Sequence, residues 1–194
     1  MQQVDSWTCT RCGTVHEGFM EAYSFAAPWA ASQLPADELP QRLKVINEFA
    51  VIDKRPFVQG CIAIPIVGRH TPFYWCVWAW FSCEDFARAA YVRSIPDEHR
   101  RQEPDYSGEL ANKIGIYPNT LGLRLQIETR PFGQKHSFRL SAADHPLVAE
   151  QRAGISIARW REISELLAHK WQHPLSADSD NHEGAAGGQL DFAK

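Results

Sequence analysis

Cys9 and Cys12, closed by Gly13 and followed by His16, are where this sequence concentrates its chemistry. A Cys-x-x-Cys-Gly step sets two sulfurs on one tight turn, which can present both to a single tetrahedral ion. Gly13 can take the positive φ that such a turn needs. His16 lies four residues past the second sulfur and can add a nitrogen. Structural zinc sites are four-coordinate, so three local ligands require a fourth from elsewhere. His145 is the first candidate, with His136, His70 and Glu17 as the others. The expectation is a structural zinc ion on Cys9, Cys12, His16 and His145. It would anchor an N-terminal knuckle, residues 5–18, that has little core of its own.

Three further groups compete for a role. In His145-Pro146-Leu147 the histidine is a metal ligand or a base positioned by Asp144 or Glu150. Its structural reading is a helix start, with Asp144 as the cap and Pro146 in the first turn. The run Tyr74-Trp75-Cys76-Val77-Trp78-Ala79-Trp80-Phe81 splits by parity into two faces. Trp75, Val77, Ala79 and Phe81 share one; Tyr74, Cys76, Trp78 and Trp80 share the other. One face must enter the core. Tyr74, Trp78 and Trp80 are then the candidate anchors for a protein partner, since such residues dominate binding energy. Cys61 or Cys83 is a candidate nucleophile, and Cys83 sits at a predicted helix start, the right place for a lowered thiol pKa. Cys61, Cys76 and Cys83 lie in or beside apolar runs and read first as buried small hydrophobes. The acidic positions Glu84, Asp85, Asp97, Glu98, Glu103, Asp105 and Glu109 read as solvated surface.

The elements that must position these residues follow from pattern. Asp37 caps a helix expected over 38–49, with Leu39, Leu43, Ile46 and Phe49 at near-helical spacing. Phe57 to Val67 and Thr71 to Phe81 are apolar on both faces and flank Gly68-Arg69-His70. They predict a central hairpin. Ser82 with Asp85 forms a capping box for a helix over 83–93. Leu121, Leu123, Leu125 and Ile127 alternate with polar residues, a half-buried strand. His136 to Leu140 can pair with it across Pro131-Phe132-Gly133. Ser156 caps a helix whose stripe is Ile157, Trp160, Ile163, Leu167 and Trp171. The fold class is α+β: an antiparallel sheet of about four to six strands packed by helices, with the Cys/His knuckle in front. Residues 1–175 read as one domain. Residues 176–194, rich in Asp, Ser, Asn and Gly, read as a disordered tail.

Composition narrows the function classes. The 194 residues are 44% hydrophobic and include seven Trp and ten Phe, enough for a real core. A net charge of −3 gives no basic face for nucleic acid. No run approaches the roughly 20 apolar residues that span a membrane. Met1-Gln2-Gln3-Val4-Asp5 lacks the basic and apolar regions of an export signal. A cytoplasmic protein without a disulfide framework is therefore expected, the five cysteines being an odd count.

Several motifs in order carry a family resemblance. They are Cys9-x-x-Cys12-Gly13-x-x-His16-Glu17-Gly18, Phe57-Val58-Gln59-Gly60, Ile64-Pro65-Ile66 and Trp75-x-Val77-Trp78 with Ser82 and Phe86. Tyr106-Ser107-Gly108-x-Leu110, Tyr117-Pro118-x-Thr120 and His145-Pro146-Leu147 follow, with Glu150-Gln151 and Gly154-Ile155. Over residues 5 to 170 the chain resembles the bacterial family labelled domain of unknown function twenty-one ninety-nine. The resemblance implies a stand-alone, soluble bacterial protein. One departure is that the family pattern has a Cys just before the Val51-Ile52-Asp53 step, where this chain has Ala50, so no role for that Cys carries over.

No phosphate loop, nucleophile–base set or basic groove is visible. The leading expectation is thus a non-enzymatic protein-binding protein. Its concrete form is an immunity or inhibitor protein that neutralises a bacterial toxin by direct binding, which needs complementary surface and no chemistry. The alternatives are a zinc-dependent hydrolase with an open metal position and a redox-sensing dithiol protein.

Overall fold

The computed structural model describes residues 6–94, 104–130, 134–141 and 143–169. The expected turn at Pro131-Phe132-Gly133, the acidic positions Asp97, Glu98 and Glu103, Trp171 and the 176–194 tail lie outside the described residues.

The chain opens with a two-stranded hairpin, β1 (Ser6–Thr8) and β2 (Val15–Glu17), which forms its own small sheet. Eight more strands make the main sheet. They are β3 (Ala22–Ser24), β4 (Leu43–Ile46), β5 (Phe49–Ile52), β6 (Arg55–Ile64), β7 (Phe73–Phe81), β8 (Tyr106–Leu110), β9 (Arg124–Glu128) and β10 (His136–Leu140). Their order is β3-β7-β8-β9-β10-β6-β5-β4, and β6 also pairs with β7. That last pairing closes β6, β7, β8, β9 and β10 into a five-strand barrel. The closed barrel corrects the expectation of a simple packed antiparallel sheet: β6 pairs with both β7 and β10, and two of the sheet's pairings, β10–β6 and β3–β7, run parallel. The four described helices are α1 (Leu39–Arg42), α2 (Cys83–Ser94), α3 (Pro146–Ala153) and α4 (Ile157–Ala168).

Strand register explains the core. Gly60 lies opposite Val77, and His136 lies beside Gly60. Side chains of one parity therefore share the lumen: Val58, Ile62, Trp75, Val77, Phe81, Ile127 and Phe138 are all buried. Narrow closure requires a gap, and Gly60 supplies it. A Cβ there would sit 2.4 Å from the Phe138 ring and 2.8 Å from the His136 carbonyl oxygen.

The predicted helix over 38–49 is confined to Leu39–Arg42. Residues 43–52 instead form the β4–β5 hairpin, with Ile46 opposite Phe49. Asn47 takes a left-handed φ of 54° at its turn. Asp53 and Lys54, at φ 49° and 68°, then turn the chain into β6, the dihedral signature of a tight hairpin turn. Apolar spacing compatible with a helix is overridden by two local turns and a β-branched run.

Cys61 and Cys76 stand directly opposite each other on β6 and β7, Cα atoms 4.2 Å apart, and are joined as a disulfide. This corrects their reading as unpaired hydrophobes. Their partnership is set by hairpin register, which sequence spacing alone does not reveal.

Candidate metal site

The β1–β2 hairpin folds around its sulfurs. Cys9 N–H donates to the Thr14 carbonyl at 2.9 Å, and Gly13 N–H donates to the Cys9 carbonyl at 3.0 Å. Gly13 has φ 71°, which a Cβ would strain. Two backbone amides point at the sulfurs: Arg11 N–H at Cys9 Sγ, 3.3 Å, and Thr14 N–H at Cys12 Sγ, 3.4 Å. Amide donors of this kind favour thiolates, the form that binds metal. Hydrogen bonds, chiefly from Thr14 and then from His16, pull the exposed Cys12 thiol down to about 6. Cross-strand pairing of Trp7 with His16 stacks the two rings at 4.7 Å and fixes the imidazole.

A fourth candidate ligand comes from the end of α4. Cys9, Cys12, His16 and His169 offer one atom each, all within 4.8 Å of one another. Cys9 Sγ is 2.9 Å from His169 Nε2, and Cys12 Sγ is 3.6 Å from His16 Nε2. Zinc–sulfur and zinc–nitrogen bonds of about 2.3 and 2.1 Å at tetrahedral angles put S and N about 3.6 Å apart. Cys12 and His16 sit at that spacing and Cys9 and His169 lie closer, and the four residues could together hold a metal ion.

Helix α4 holds His169 in place. Thr10 Oγ1 donates to Glu165 at 2.7 Å, and the Arg161 guanidinium donates to the Thr8 carbonyl at 2.6 Å. Met20 N–H donates to Ser164 Oγ, and Trp160 Nε1 donates to the Met20 carbonyl. The Thr10 hydrogen bond holds the Glu165 carboxyl below its ordinary range. Phe19 bridges Trp7 and Trp160, with ring centroids 5.9 and 4.6 Å away.

Of the residues proposed from sequence, Cys9, Cys12 and His16 come together and His145 does not join them. His145, not Asp144, caps α3: its Nδ1 accepts from Leu147 N–H at 3.1 Å. His136 is enclosed in the barrel, while His70 and Glu17 are exposed. His169 is the member of the cluster that sequence reasoning missed. Nothing in the local sequence singles it out, since it lies 160 positions from Cys9.

The remaining candidates fall as follows. Trp78 is 2% exposed, with Nε1 donating to the Phe25 carbonyl at 2.9 Å. Tyr74 and Trp80 are half-buried on the outer face of β7, Trp80 lying under Arg55. Cys83 is an exposed free thiol at the start of α2. Glu150 takes no part in the metal cluster. It accepts from Tyr117 Oη and from Arg159, and burial followed by that carboxylate pushes the Tyr117 pKa up.

The family model described as an uncharacterized protein conserved in bacteria (DUF2199) matches residues 8–155. The match takes in Cys9, Cys12 and His16 and stops before His169. No curated protein and no solved structure matches the chain. Among the described residues, no helix is long and apolar enough to cross a membrane.

Proposed function

Because the chain belongs to the bacterial DUF2199 family, whose activity its description leaves open, we propose a function from the geometry: a zinc-stapled protein that binds another protein and catalyses nothing. The observation that carries this reading is the fourth ligand. With His169 added to Cys9, Cys12 and His16, the tetrahedron is filled by side chains. A hydrolytic zinc keeps one position for water or substrate, and this set offers none. When bound, the ion would supply a cross-link between the N-terminal hairpin and the end of α4, with no polarised water.

The support for a binding surface is separate. Strand β4 ends the sheet order, and its Val45 and Ile46 are 47% and 69% exposed. An edge strand with apolar side chains is a template for another chain's strand. A toxin occluded by such a contact is the concrete case that needs surface alone. Tyr74 and Trp80, half-buried, add a smaller contribution, and Trp78 is spent inside.

Metal analysis of the purified full chain tests the staple. The expected result is one zinc per chain, lost in Cys9→Ser and His169→Ala and retained in His145→Ala. Retention of zinc by His169→Ala at unchanged affinity would refute the ligand set. For binding, a partner recovered in one-to-one stoichiometry from native host cells should be lost with Ile46→Lys. A partner that survives both this change and Trp80→Ala removes the proposed surface.

A further inference from the structure

We infer that the Cys9/Cys12 site is a peroxide-releasable clasp: oxidation joins the two sulfurs, ejects the metal and unties the N-terminal hairpin from α4. This rests on the zinc reading above and adds its regulation. The four ligands are unequal. Cys9 is 1% exposed, whereas Cys12 is exposed at the hairpin tip. An oxidant in solution therefore meets one sulfur first, with the second waiting behind it. Their ligand atoms lie within 4.8 Å, and only two residues separate them on a turn that glycine keeps pliable.

The chemistry balances with hydrogen peroxide as the oxidant. The Cys12 thiolate attacks one peroxide oxygen, and the O–O bond breaks. Cys12 becomes a sulfenic acid, and the departing hydroxide takes a proton to leave as water. The Cys9 thiolate then attacks Cys12 sulfur, forming the S–S bond and releasing the second hydroxide, which is also protonated to water. Two thiolates lose one electron each and peroxide gains both. Two imidazoles remain as ligands, too few for a structural site.

The consequence follows from what else joins the two parts. Beyond the ligands, the hairpin tip is held by Thr10 on Glu165 and by Arg161 on the Thr8 carbonyl. Thr10 donates to the buried Glu165 carboxylate through both its hydroxyl and its N–H, the Arg161 contact is exposed, and each such charge-assisted hydrogen bond contributes net stability of its own. Further along, Met20 stays pinned by Ser164 and Trp160. Oxidation should thus free residues 8–17 while the chain beyond Phe19 keeps its place. The face of Trp7 that lies under Arg161 of α4 would become accessible.

The test uses the zinc-loaded full chain in a Cys83→Ser background, which removes the other exposed thiol. Peroxide is titrated while a chromogenic chelator counts released zinc. Mass spectrometry after alkylation maps the disulfide, and limited proteolysis reports the hairpin. The expected result is loss of the zinc together with a Cys9–Cys12 disulfide, new cleavage within residues 8–17, and full reversal by dithiothreitol plus zinc. Cys12→His keeps a fourth ligand but cannot form the disulfide. It should hold its zinc at peroxide concentrations that empty the parent chain. A chain that holds no zinc before oxidant overturns the staple itself. A chain that holds zinc and keeps it while its thiols are oxidised elsewhere overturns only the release. Equal zinc loss from Cys12→His also overturns the release.

Discussion

His136 is the group whose titration should govern acid stability. It lies in the barrel lumen, 2% exposed, and its Nε2 accepts from the Arg93 guanidinium at 2.9 Å. Arg93, at the end of α2, is in turn ion-paired with Glu48 in the β4–β5 turn. A guanidinium only donates, so this imidazole is neutral with its proton on Nδ1. Burial first, and the Arg93 charge second, push its pKa down to about 4. Against an ordinary histidine at about 6.5, that gap corresponds to roughly 3 kcal/mol. The sign is fixed by linkage. The unfolded chain takes up a proton as pH falls through about 6.5, and the folded chain waits until about 4. Stability from this site is therefore complete above pH 6.5 and drains away as pH falls to 4. Urea unfolding from pH 7.5 to 4 measures it, on the Cys9→Ser/Cys12→Ser chain with chelator, so that protonation of metal ligands adds nothing. His136→Gln keeps an acceptor for Arg93 and cannot titrate. The parent should lose roughly 3 kcal/mol more than the variant across that window. Carboxylate contributions are shared by both chains and cancel. Parallel pH profiles would refute the reasoning.

Two packing predictions follow from the barrel. Gly60→Ala forces a Cβ against both the Phe138 ring and the His136 carbonyl; a loss of about 1–3 kcal/mol is expected by urea unfolding. Gln151 of α3 completes the barrel seam where β10 leaves β6: its Oε1 accepts from Leu140 N–H at 2.8 Å, and its Nε2 donates to the Phe138 carbonyl at 2.7 Å. Gln151→Leu should cost about 2 kcal/mol and speed amide exchange at Leu140, while Gln151→Glu, which keeps only the acceptor role, falls between.

What the sequence revealed was whatever local pattern decides. The parity split of the Tyr74–Phe81 run is seen in the structure, with Trp75, Val77, Ala79 and Phe81 sealed in the lumen. Ser82 and Asp85 exchange the expected capping hydrogen bonds, and Ser156 caps α4 by accepting from Arg159 N–H. Barrel closure was not legible, because it depends on β10 meeting β6 in parallel across an intervening span of chain. Only two residue pairs, His136 with Gly60 and Ser137 with Cys61, make that contact. The disulfide escaped for a related reason: a residue's cross-strand partner depends on turn length, and one residue of slip would put Cys61 opposite Trp75 or Val77 instead of Cys76.

The metal site divides along the same line. Cys9, Cys12, Gly13 and His16 lie within one hairpin, so spacing alone identifies them. His169 is 160 positions from Cys9 and reaches it only because α4 lies against the N-terminal segment. That long separation also bears on what the ion is for. A cross-link within one turn removes little freedom from the unfolded chain, whereas one that closes a long loop removes more. Ligation by Cys9, Cys12 and His16 alone would merely stiffen a hairpin. A metal that takes His169 as well would tie the chain's first strands to its last described helix, and the proposed oxidation at the exposed Cys12 sulfur would then open a join that closes nearly the whole fold.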